Sequence, residues 1–114
     1  MTLTVREATD TLTVLSLEGR LDIAGAQEIE TPFLARTTDR RKPVILDFSG
    51  VTFLASFGLR LLVSAHKALH RDNLPLVILH PSAEVEKVLL MAGMDNLLFI
   101  ICDEAEARAK AVAP

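Results

Sequence analysis

Apolar and polar residues alternate from Leu3 to Ala8, the two-residue period of a half-buried strand. Thr11 to Glu18 is rich in β-branched and apolar residues and predicts a second strand. Asp10 and Thr11 supply the turn of a hairpin between them, and Gly19 closes the run. Asp22 is a helix N-cap, because its carboxylate can accept from the free N–H groups of a first turn. The helix is expected over about Ile23 to Ala35, with Pro32 kinking or shortening it. Arg40 to Pro43 reads as a loop, Val44 to Phe48 as a buried strand, and Ser49-Gly50 as a turn. Ser56 is placed to cap a helix from about Phe57 to Arg71, with an apolar face of Leu59, Leu62, Val63 and Leu69. Asn73 and Pro75 end that helix, and Leu76 to Leu79 is a short apolar strand. Pro81 and Ser82 open a helix from Ala83 to about Ala92, stopped by Gly93. Leu97 to Ile101 is the last strand, and Asp103 caps a final, strongly polar helix expected to dock loosely.

The order β-β-α-β-α-β-α-β-α implies an α/β fold with a mixed, mostly parallel sheet of about five strands, an opening hairpin and about four helices. A length of 114 residues fits one domain over 1–114. Hydrophobic residues make up 50% and aromatics only 4%, all Phe, so the core is built from Leu, Val, Ile and Ala. The net charge of −3 argues against a nucleic-acid partner. The basic run Arg36 to Lys42 contains Asp39 and reads as a solvated loop. A lone cysteine, Cys102, can form no internal disulfide and no zinc cluster, which suits a reducing compartment. It follows the apolar run Leu97 to Ile101, so a buried, inert thiol is expected. No signal peptide and no membrane-length apolar run is visible, so a cytoplasmic protein without membrane insertion is expected.

Enzyme chemistry finds little support. A nucleophile elbow around Ser56 would need glycine where Leu54 stands, and no phosphate-cradling glycine loop is present. Asp47 at a strand end resembles a receiver aspartate, but Asp10 and Asp22 are poor candidates for its Mg²⁺ pocket. It fits better as a residue that closes the strand or bonds the loop backbone. His66 and His70 have the four-residue spacing of zinc ligands but no evident third ligand, and His66 falls on the apolar helix face as a semi-buried residue. His80 reads as a loop residue. Glu84, Glu86 and Lys87 form a solvated face, and Met91 and Met94 serve packing. No catalytic residue, metal or cofactor is expected.

The informative stretch runs from Leu46 to Leu59, where a buried strand leads through a short loop to a serine at a helix start. N–H groups there lack internal partners and, with the helix dipole, favour negative charge. Ser56 could therefore carry a phosphate, and the plainer reading is that it only caps the helix. Phe57 beside it is either a partner anchor or a core residue. Gly19-Arg20-Leu21-Asp22 is similar to the Gly-x-Leu-Asp segment of the STAS domain family. Ser56-Phe57-Gly58-Leu59 is similar to that family's Asp-Ser-Ser/Thr-Gly-Leu segment. Val44 to Phe53 resembles its central strand and following loop, and Met91 to Met94 with Leu97 to Ile101 its Gly-Leu turn and last strand. The chain thus resembles STAS domains over nearly its whole length, especially the bacterial anti-sigma-factor antagonists.

That resemblance implies a protein that binds an anti-sigma factor or related serine kinase as its partner and is released when Ser56, the matching phosphoacceptor, is phosphorylated. It implies a partner surface of Asp22, Ala55, Ser56, Phe57 and Gly58, presented by a monomer or weak dimer. Two positions depart from the family pattern: Ala55 stands where an acidic residue is usual and Phe57 where a hydroxyl residue is usual. A non-phosphorylated adaptor of a transport ATPase or signalling assembly is the alternative.

Overall fold

In the computed structural model, which describes residues 1–112, the alternating N-terminal segments pair as a hairpin. Strand β1 (Thr2–Ala8) runs antiparallel to β2 (Thr13–Leu21). The Thr9 hydroxyl accepts from the Leu12 N–H at 3.1 Å and shapes the turn. Then follow α1 (Ile23–Thr37), β3 (Val44–Leu54), α2 (Ser56–His70), β4 (Leu76–Leu79), α3 (Ala83–Met91), β5 (Phe99–Ile101) and α4 (Glu104–Ala111). The strands form one sheet in the order β1-β2-β3-β4-β5, antiparallel in the first pair and parallel in the rest.

Successive crossovers between neighbouring parallel strands keep one hand. They place α1, α2 and α3 on the same face of the sheet. Leu15, Leu17, Leu46, Phe48, Leu76 and Ile78 point into that core, where they meet Ile29, Phe33, Leu62, Leu69, Val85 and Leu89. The opposite face carries Val14, Ile45, Val77, Leu79 and Ile101, covered by Ala107 and Ala111 of α4. Both faces of the inner strands are thus buried, which is why Val44 to Phe48 and Leu76 to Leu79 are nearly continuous apolar runs.

Several expectations are corrected. β3 does not stop at Phe48 but continues to Leu54. Ser49-Gly50 is an irregular step inside the strand, where Gly50 pairs with Glu18 and a Cβ would lie 2.7 Å from the Glu18 Cγ. β2 likewise passes through Gly19, whose φ of +109° suits glycine within the bulged pairing. α1 runs through Pro32 to Thr37. Pro32 is on the exposed face, while Ile29, Phe33 and Thr37 anchor the helix on the core. The buried face of α2 is Gly58, Leu61, Leu62, Ala65 and Leu69, with Leu59 and Val63 at its margins. A short 3₁₀ turn at Met94–Asn96 precedes β5, so that strand begins at Phe99. Met94 is buried, but Met91 at the end of α3 is exposed. Cys102 is exposed, because the chain leaves the sheet immediately after Ile101.

The last helix is firmly seated. Arg108 donates to both carboxylate oxygens of Glu7 at 3.0 and 3.2 Å and to Glu104 at 3.3 Å. Arg6 bridges Asp47 at 2.9 Å and Glu104 at 3.6 Å. The Arg108 bond holds the Glu7 carboxyl below its ordinary pKa.

Candidate functional site

Two strand-to-helix corners meet at one end of the sheet. Leu21 and Leu54 are paired in register at the ends of β2 and β3. A single extended residue, Asp22 in one case and Ala55 in the other, joins each strand to its helix. The Ala55 N–H donates to the Leu21 carbonyl at 3.3 Å and ties the corners together. This end, beyond the carboxyl ends of parallel strands, is where α/β sheets present free helix N-termini.

At the first corner the sequence expectation holds. The Asp22 Oδ1 accepts from the Gly25 N–H at 2.8 Å, and the Arg20 Nε lies 3.4 Å from Oδ2. The Gly25 bond, more than Arg20, pulls the Asp22 carboxyl below its ordinary value. Gly25 itself was not anticipated as part of the site. A Cβ there would overlap the Arg20 carbonyl oxygen, so only glycine lets α1 start this close to the strand. The available signal was a glycine in the first turn of a capped helix.

At the second corner the expected cap is corrected. Ala55 has the extended dihedrals of an N-cap, φ −140° and ψ −174°, and makes no side-chain capping bond. Ser56 is already the first helical residue and is exposed. Its hydroxyl therefore stands at the mouth of the helix and is not folded back over the first turn. Gly58 is buried, and a Cβ on it would lie 2.6 Å from the Leu21 Cγ and 2.8 Å from the Leu54 Cδ1. That contact seats α2 against both strand ends.

Phe57 is 39% exposed, so it does not tuck into the core. Phe53 at 37% and Ile23 at 54% are also exposed. Two guanidinium groups lie on these rings. Arg20 is 4.2 Å from the Phe53 centroid and Arg60 is 5.5 Å from that of Phe57. A cleft of about 240 Å³ opens between α1 and α2, lined by Ala26, Gln27, Glu30, Phe57, Arg60 and Ser64 among others. The corner and the adjoining cleft therefore offer apolar area, the cations Arg20 and Arg60, the carboxylates of Asp22 and Glu30, and the hydroxyls of Ser56 and Ser64. Arg20, Phe53 and Arg60 carry no local motif: strand register sets Arg20 beside Phe53, and helix spacing sets Arg60 beside Phe57.

Other candidates lie elsewhere. Asp47 sits on the α4 face, where Oδ1 accepts from the Ser49 N–H at 2.9 Å and Oδ2 from Arg6. It bonds the backbone as expected but does not close the strand, which runs on past it. His66 and His70 stack with ring centroids 5.3 Å apart, and burial, then His70, lowers the pKa of His66. Among the described residues no three His, Cys, Asp or Glu side chains group as metal ligands. No helix among them is long and apolar enough to cross a membrane.

Comparison with known proteins agrees with this geometry. The family model described as STAS domain matches residues 3–107. BtrV of Bordetella bronchiseptica, provisionally named an anti-sigma factor antagonist, is 26% identical over 102 residues, covering 90% of this chain and 87% of BtrV. A Thermotoga maritima structure with the same provisional description superposes with a TM-score of 0.85 at 21% identity, covering 96% of this chain and 93% of the other. The Bacillus cell fate determinant SpoIIAA in its phosphorylated form gives a TM-score of 0.71 at 21% identity, covering 96% and 98%. With the fold matched throughout and the family model spanning nearly all of the sheet and its helices, the chain belongs to the STAS domain family.

Proposed function

We propose that this protein is an anti-sigma-factor antagonist that works by binding, not by turnover. Its docking surface is the corner presented by Asp22, Ala55, Ser56 and Phe57, which the buried Gly58 supports from beneath and does not itself line, and its partner is an anti-sigma factor that is also a serine kinase. In the off-step the γ-phosphoryl group of a nucleoside triphosphate passes to the Ser56 Oγ. The new O–P bond replaces the bond to the β-phosphate oxygen, and the hydroxyl proton goes to a base of the kinase. The diphosphate leaves.

One observation carries the reading: an exposed serine begins α2 beside an exposed phenylalanine at the corner where β2 and β3 end side by side. A phosphate there gains from the helix dipole and adds nearly two negative charges to the docking face. It would interrupt an apolar contact centred on Phe57, the residue type that anchors interfaces. Ala55 leaves no carboxylate immediately before Ser56 to repel the phosphate. The similarity to BtrV and to SpoIIAA, the latter solved in a phosphorylated form, supports the same assignment.

The test uses the wild type, Ser56→Ala and Ser56→Asp as baits in a lysate of the native host. A kinase-like anti-sigma factor retained by the first two and lost by the third is the expected result. Retention of the same transporter or scaffold subunits by all three would instead make the protein a constitutive adaptor.

A further inference from the structure

We propose that Arg60 reads the state of Ser56: when Ser56 carries a phosphate, the Arg60 guanidinium leaves the Phe57 ring and pairs with it. The inference rests on Ser56 being the modified residue, as argued above. Ser56, Phe57 and Arg60 are the first, second and fifth residues of α2. Residues four apart are neighbours on a helix surface, and helical side chains lean toward the N-terminus. Arg60 therefore covers the turn that contains both Ser56 and Phe57.

The present resting place of Arg60 is a weak one. Its guanidinium lies 5.5 Å from the Phe57 centroid, near the outer limit of about 6 Å for such contacts. Among the described residues it makes no ion pair, although Glu30 lines the same cleft. Arg20 is different. It sits 4.2 Å over Phe53 and is also held 3.4 Å from the Asp22 carboxylate. Arg60 is thus the cation of this rim that is free to move, and a phosphate offers it a doubly charged acceptor for its planar fork. The exchange neutralises one positive charge at the rim of the docking face. The modification then acts through two changes, an added anion and a lost cation. Ala55 provides no carboxylate to compete for the arginine.

The test installs phosphoserine at position 56 of the full chain during synthesis, so that neither kinase nor partner is required. The second ionisation of the phosphate is followed by ³¹P NMR against pH. In the parent it is expected roughly 0.5 pH unit lower than in Arg60→Gln, the size of a neighbouring helical ion pair strengthened by the phosphate charge. Arg20→Gln is expected to leave it where the parent has it. Identical titrations of the parent and Arg60→Gln would overturn the proposal, as would an equal rise in Arg20→Gln, which reports only the general surface field. Either failure would leave the role of Ser56 itself to the bait experiment.

Discussion

Asp22 and Ser56 occupy successive strand-to-helix corners, but only Asp22 folds its side chain onto the helix that follows. Its carboxylate accepts the Gly25 N–H and faces Arg20, both of which favour the charged form. The folded-state pKa is accordingly lower than the ordinary 3.8. A depressed carboxyl contributes stability above its unfolded pKa and loses it as pH falls through the folded value. Wild type is therefore expected to melt higher than Asp22→Asn at neutral pH, and the gap should close below about pH 4. Asparagine keeps the capping oxygen but not the charge, so the comparison isolates ionisation from capping. Thermal melts across pH 7 to 2.5 would check this, and a gap independent of pH would contradict it. Asp22 was identifiable as a cap from its place before an apolar helix. The position of Ser56 was not, because which residue stands at the N-cap depends on where the strand ends, and β3 ends later than local composition suggests.

At the scale of elements, α1 and α2 start within one residue of the strands that precede them, and glycine makes both starts possible. Gly25 would drive a Cβ into the Arg20 carbonyl, a backbone atom with nowhere to go. Gly58 would drive one into the buried side chains of Leu21 and Leu54. In an open helix, replacing glycine with alanine stabilises by about 1 kcal/mol. Here the sign reverses. Gly58→Ala is expected to cost about 1–3 kcal/mol by overpacking, and Gly25→Ala more, because backbone yields less readily than side chains. Urea denaturation of the two variants checks both the sign and the order. Equal or higher stability for either would show that the corner can open. Helix and strand identities were readable from periodicity. The length of β3 was not, since Ser49-Gly50 carries a turn signal that parallel pairing with β2 overrides, the ladder bonds satisfying the backbone on both sides of the step.

For the whole molecule, the arrangement separates a holding face from a presenting end. Helices α1 to α3 fill one side of the sheet, and α4 closes the other with alanines small enough to lie close to Ile45, Val77 and Leu79. The ionic contacts of Arg6 and Arg108 surround this seam but are partly solvated, so packing carries most of the docking. Ala107→Leu is expected to destabilise by about 1–3 kcal/mol and to speed amide hydrogen exchange throughout α4. Unchanged exchange would mean that α4 adapts to the larger side chain. The seam lies across the sheet from the α1–α2 cleft, so the end that carries Ser56 is built independently of it.

The order of elements, the hairpin, the parallel sheet and the capping role of Asp22 were set by properties that act over a few residues: periodicity, branched side chains and turn chemistry. The resemblance that singled out Ser56 was likewise a matter of short segments in order. Only the tertiary structure decided that Ala55 and not Ser56 takes the cap, that Phe57 faces outward, and that Arg60 lies against it while Arg20 lies over Phe53. It also decided that a polar last helix docks firmly and that Cys102 lies exposed. Each of these depends on strand register and on which helix face meets the sheet. Those are set by contacts between residues far apart in the chain, and local composition carries no record of them.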